Sequence, residues 1–174
     1  MQNFTRLFSI SSPNSRKLEQ DWLTYKNETL KLNYPPTWSY QIKNNPVDSS
    51  VIFFPNEQLH IEPKEIKVAI GVEPLRELMS LEEYTNSVKK EIIKDNDESK
   101  IIEERDYSFL RSRGQKITYE FNNNGSKIKK SIFIMPKDKK AYAIYYQAKD
   151  QDFTMSENIA DQIVQSLDFV NFNN

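Results

Sequence analysis

The chain has 174 residues, 37% of them hydrophobic and 28% charged, with a formal net charge of −1, one histidine and no cysteine. A chain of this length makes roughly one domain able to bury well over half of its unfolded surface. No apolar run approaches the ~20 residues of a bilayer-spanning helix, and zero cysteines exclude disulfides, thiolate metal sites, iron–sulfur clusters and a cysteine nucleophile.

The opening MQNFTRLFSISS falls short of the ~7–15 apolar residues of a secretory leader, which leaves location open between the cytoplasm and a mature exported form. Residues 1–21 lack periodicity and are expected to form a flexible arm, followed by a single domain over 22–170 and a tail over 171–174. Trp22–Tyr25 reads as a short strand, Lys26–Glu28 as a turn and Thr29–Tyr34 as the next strand, in which Leu30, Leu32 and Tyr34 alternate with Lys31 and Asn33. Pro35 and Pro36 cannot donate ladder hydrogen bonds, so they end that strand and carry Trp38 back over the edge of the core. SSVIFFP (49–55) and EIKVAIGVEPL (65–75) read as two further strands, the second with Ile66, Val68, Ile70 and Val72 on one face. Ser80 and Glu83 form a capping box ahead of Leu81, Tyr84, Val88 and Ile92 at helical spacing, and the helix fades into the charged loop KDNDESK.

Between 107 and 148, the strands GQKITYEF, SKIKKSIFIM and KAYAIYYQA are separated by the turn signals NNNG and PKDK and are expected to form an antiparallel meander. A second helix is expected from Thr154, capped with Glu157, through the stripe Ile159, Ile163, Val164 and Leu167 to Phe169. This order of elements predicts an α+β fold with a largely antiparallel sheet, and helices near 81–94 and 156–167 packed on it. The sheet core should come from Leu30, Leu32, Val68, Ile70, Ile117, Tyr119, Ile132, Ile134 and Ile144.

Catalytic chemistry has little to draw on. His60 stands alone apart from Glu62 and Glu65, and no G-x-S-x-G, H-E-x-x-H, Walker loop or dinucleotide fingerprint occurs. The carboxylate pairs Glu82–Glu83, Glu103–Glu104 and Asp95–Asp97 sit where helix starts and loops collect acid. No catalytic residue, metal ligand or cofactor is therefore assigned, and an enzyme, of hydrolase type, would have to use an unrecognised site around His60. Residues 111–140 hold nine Lys/Arg against two Asp/Glu, whereas the remainder holds fifteen against twenty-three. In a meander the start of the first strand and the turn joining the second and third lie at one end. Arg111, Arg113 and Lys116 should then approach Lys137, Lys139 and Lys140, a candidate site for phosphate, anionic lipid or an acidic protein surface. Solubilising charge at strand ends is the competing reading. Specific nucleic-acid binding is not expected, although Tyr142, Tyr145 and Tyr146 lie in the neighbouring strand. Three sequons, at Asn3, Asn27 and Asn124, are compatible with export.

The strand start at Tyr25–Asn27, the LKLNYPPTW segment, KVAIGVEPL, SLEEYT and the terminal IADQIVQSLDF occur in an order that resembles the PsbP-related family from about Trp22 to Phe169. The resemblance implies an α/β/α sandwich with a central antiparallel sheet, in which the Tyr-Pro-x-x-Trp segment is a structural hallmark. It also implies a non-enzymatic accessory or binding module, as in a non-photosynthetic microbial member, of a kind often exported or lipid-anchored. Photosynthetic relatives supply the alternative of an extrinsic or assembly protein of photosystem II. The sequence departs from the family pattern at LRSRG, where Ser112 stands near the position of a glycine in relatives.

Overall fold

The computed structural model describes residues 21–44, 49–61, 64–96, 98–109 and 112–169. The expected tail and all of the expected arm except Asp21 lie outside them. Two strands, β1 (Leu23–Lys26) and β2 (Leu30–Tyr34), form the first hairpin. Asn27 closes its turn, the side-chain oxygen accepting from the backbone N–H of Thr29 and of Leu30, both at 2.8 Å. Leu30, Leu32 and Tyr34 point inward from β2, as their alternation requires.

After Pro35 and Pro36 the chain behaves differently from expectation. The Trp38 N–H donates to the Pro35 carbonyl at 2.9 Å, and Trp38, buried at 4% exposure, opens a third strand, β3 (Trp38–Asn44). The prolines end one strand and turn the chain into another. β4 (Ser49–Pro55) follows, then a single 3-10 turn (Asn56–Gln58) and β5 (Lys67–Pro74). The segment between the turn and β5 is organised by Lys64, whose buried ammonium donates to the carbonyls of Gln58, Leu59 and Ile61 and lies 4.3 Å from the Phe54 ring.

Helix α1 (Leu81–Asp95) begins at the predicted capping box: Ser80 Oγ accepts from the Glu83 N–H at 3.2 Å while the Ser80 N–H donates to the Glu83 carboxylate at 2.8 Å. The meander then has four strands, β6 (Lys100–Phe109), β7 (Ser112–Asn123), β8 (Ser126–Lys137) and β9 (Lys140–Lys149). The type I′-like turn at Asn124 (φ 49°) and Gly125 (φ 80°) joins β7 to β8. Gly114 is required where β7 meets β8, because a Cβ there would stand 2.7 Å from the Ile134 carbonyl oxygen. Helix α2 (Asp150–Gln165) starts directly after β9, four residues earlier than the expected Thr154 cap. Lys149 takes the N-cap position without a side-chain hydrogen bond, and Asp150 and Asp152 compensate the first turn's dipole. β10 (Asp168–Phe169) closes the chain against β2.

All pairings are antiparallel. One sheet has the order β1-β2-β10 and the other β3-β4-β5-β9-β8-β7-β6. The nine residues expected in the core are all buried, but they divide between two clusters. On one face of the large sheet, Val68, Ile70 and Ile144 pack with the small sheet and with Phe153, Ile163 and Val164 of α2. On the other, Ile117, Tyr119, Ile132 and Ile134 pack with Tyr84, Val88 and Ile92 of α1.

Candidate functional site

The register of the meander pairs Gln115 with Ile134 and Lys137 with Lys140, so the start of β7 and the β8–β9 turn do lie at one end of the sheet. The expected six-cation patch does not form there. Lys116 is 1% exposed and points to the α2 face, where its ammonium donates to Glu157 at 2.8 Å and lies 5.0 Å from the Phe133 ring. The physical reason is the strand's period of two: Arg113 and Lys116 are three residues apart on β7 and leave the sheet on opposite sides. Arg113 is exposed and paired with Asp106 at 3.2 Å. Arg111 lies outside the described residues. Lys137, Lys139 and Lys140 remain together around a turn whose Asp138 has φ 56°.

His60 is exposed on the turn after the 3-10 segment; Glu62 lies outside the described residues, and Glu65 pairs with Lys149 at 2.8 Å. Among the described residues no three His, Cys, Asp or Glu side chains gather closely enough to hold a metal ion. Glu83 is used in the helix cap, Glu103 and Glu104 pair with Arg105 and Lys89, and Asp97 lies outside the described residues.

A better-formed recess lies elsewhere, between α1 and the middle strands of the large sheet. Its volume is about 330 Å³, within the low end of the ~300–1,000 Å³ typical of small-molecule sites. Val88 and Ile92 of α1 and Ile132 of β8 make the apolar floor. Tyr119 and Phe121, two residues apart on β7, stack with ring centroids 6.0 Å apart. Tyr145 of β9, opposite Ile132, is 39% exposed and forms the facing wall. Lys130, opposite Tyr119 on β8, extends its ammonium to 5.0 Å from the Phe121 ring. Glu73 of β5 accepts a short hydrogen bond from the Tyr84 hydroxyl. Glu91 and Asp95, one helical turn apart on α1, line the rim.

Burial, together with the Glu73 carboxylate, raises the Tyr84 phenol well above its ordinary range, and burial pushes Tyr119 up to about 12. Both are neutral hydrogen-bonding groups at physiological pH. Burial and the nearby Lys67 charge lower the Lys130 ammonium, opposed by Asp95. The recess offers aromatic faces, carboxylates and one half-buried ammonium. Among the described residues Ser99 is its one aliphatic hydroxyl and no histidine lines the recess; its one hydroxyl–carboxylate pair, Tyr84 with Glu73, has its phenol kept protonated by burial.

No family model matches the sequence, and no curated protein matches it. Among solved structures, the cyanobacterial PsbP of Synechocystis sp. PCC 6803 superposes with a TM-score of 0.60 at 10% identity, over 95% of this chain and 98% of that one. The chain has the PsbP-like fold. LpqN, described as involved in cell envelope biogenesis of Mycobacterium tuberculosis, shares the architecture at a TM-score of 0.58 and 8% identity, over 90% of this chain and 96% of that one. A Bacteroides thetaiotaomicron protein matches at 0.51 and 12% identity, over 83% of this chain and 46% of that one. Within the PsbP-like fold, the YPPTW segment is a strand-to-strand corner with a buried indole.

The recess residues escaped sequence reasoning for a specific reason. Tyr119 and Tyr145 were legible as strand aromatics, but which of them face α1, and that Lys130 stands opposite Tyr119, depends on a register fixed by the β7–β8 and β8–β9 turns. The signal in the sequence is the adjacent pair Tyr145–Tyr146, whose rings must leave a strand on opposite faces.

Proposed function

We propose that this PsbP-like chain is a non-enzymatic accessory or binding module whose working surface is the recess between α1 and the large sheet. The observation that carries the reading is the recess itself: a formed aromatic cavity with convergent polar groups, in which burial keeps the Tyr84 and Tyr119 phenols protonated and no histidine stands beside the one aliphatic hydroxyl. Such a site holds a ligand or a partner's side chain and does no chemistry on it. The fold, shared by proteins with unlike descriptions, is neutral on this point. The test is a fragment screen by backbone-amide NMR on the whole chain. Fragments are expected to shift amides around Tyr119, Lys130 and Tyr145. Hits confined to other surfaces would refute the reading, as would turnover of generic ester or phosphoester substrates that is lost in His60→Ala.

A further inference from the structure

We infer that the α1 recess is shaped for a small organic cation, an amine carried on an apolar or aromatic body. The inference rests on the recess being a binding site and adds the chemistry of what binds. Three carboxylates line the recess, Glu73, Glu91 and Asp95, against the single ammonium of Lys130. Among the described residues, Glu91 and Asp95 make no hydrogen bond or ion pair. At i and i+4 on one helix they repel each other, so an incoming cation relieves a repulsion as well as making contacts. Neither carboxylate is needed for the helix cap, which Ser80 and Glu83 supply at the other end.

The sheet side is matched to the same guest. Aromatic faces attract cations when the charge lies within about 6 Å of the ring centroid, and the stacked Tyr119–Phe121 pair already holds one. The Lys130 ammonium is 5.0 Å from Phe121 and, among the described residues, has no hydrogen bond or ion pair. Lys130 is thus an internal stand-in for the guest. With no hydrogen bond among the described residues to anchor it, the Lys130 ammonium is able to yield the aromatic face by swinging on its flexible stem into water, which burial and the Lys67 charge favour and Asp95 opposes. Val88, Ile92 and Ile132 then cover the guest's apolar body. An anionic ligand would meet three carboxylates against Lys130 in the lining and the more distant Lys67 charge.

The test compares three probes with one indole body: tryptamine (cationic), tryptophol (neutral) and indole-3-acetate (anionic), titrated by calorimetry with amide NMR to locate the site. Tryptamine is expected to bind at least tenfold more tightly than indole-3-acetate and to weaken with added salt. That preference should fall at least fivefold in the Glu91→Gln/Asp95→Asn double variant, while Lys130→Met should strengthen tryptamine binding. Equal or reversed affinities, with shifts still at Tyr119 and Tyr145, would overturn the cation inference and leave the recess as a binding site. Absence of any groove shift with all three probes would overturn both.

Discussion

Lys116 and Glu157 offer the sharpest test of the packing on the α2 face. The ammonium is 1% exposed and the carboxylate 30%, with 2.8 Å between them. At an effective dielectric near 20, two unit charges at that separation attract by roughly 6 kcal/mol, but burying the ammonium costs several kcal/mol, so the pair is close to neutral for stability. Removing one partner is not neutral, and the two removals differ. Glu157→Leu removes the acceptor of a buried ammonium and leaves Asp161 near it, whose own carboxyl is raised by its burial, and should cost about 3 kcal/mol. Lys116→Met removes the buried charge, fills the space against Phe133 with a thioether, and leaves Glu157 able to turn to water; the change should stay within about 1 kcal/mol. For a domain of this size, 1 kcal/mol corresponds to ~2–4 °C, so thermal melts should show losses of roughly 6–12 °C and at most ~4 °C. Urea unfolding of both single variants and the double variant measures the same quantities as a cycle. Equal losses, or a larger loss for Lys116→Met, would refute this assignment of the buried charge.

The three lysines of the β8–β9 turn are proposed as an anion-binding surface: changing Lys137, Lys139 and Lys140 to Glu should abolish retention on heparin and on anionic vesicles while stability stays within about 1 kcal/mol, and unchanged retention would leave them as solubilising charge. Alkaline titration should destabilise the fold through its buried phenols. Tyr84, Tyr119 and Tyr146 are raised in the folded state above an unfolded value near 10, so the stability they contribute is complete below about pH 10 and is lost as pH rises through their folded values. Far-UV circular dichroism should then fall together with the appearance of buried tyrosinate. Titration of every tyrosine near pH 10 with the structure intact would contradict their burial.

The parts of the fold that could be read in advance are those where one face is wet and the other dry. β2, β5, the strands of the meander and the α1 cap all carried that signal, and each formed. Of the three missed strands, the two-residue β10 was read as the end of the second helix, and the other two are the edges of the large sheet. β6, KIIEERDYSF, carries charge on both faces and a bulge between Ile101 and Glu103, which are devices that blunt an edge and also erase alternation. β3 does alternate, with Trp38, Tyr40 and Ile42 against Ser39, Gln41 and Lys43, yet two prolines before it read as a loop. Tyr40 and Ile42 remain half exposed, the weak burial of a strand paired on one side only. The six-cation patch fails on a different ground: proximity in sequence carries no strand parity, and parity alone separates Lys116 from Arg113.

The location of the recess follows from how unequally the two faces of the large sheet are covered. Seven strands at ~4.8 Å spacing make a sheet about 29 Å across, while one helix with its side chains covers about 10–12 Å. On one face α2 shares the task with the β1-β2-β10 sheet, and that side is closed by one continuous cluster. On the other, α1 lies over β7 and β8, and the Lys64 segment covers Phe54 of β4. Between them stand β5 and β9, whose residues on this face include Ala69, Gly71, Ala141 and Ala143, small side chains that ask for little cover. Tyr145 rises among them with more than a third of its surface exposed. A fold that needed this strip closed would place a large apolar residue from α1 over it; instead α1 turns Glu91 toward it. Stability on this face therefore depends on the α1 stripe of Tyr84, Val88 and Ile92, and the strip beside it is left open, which is the opening that the proposed binding role would use.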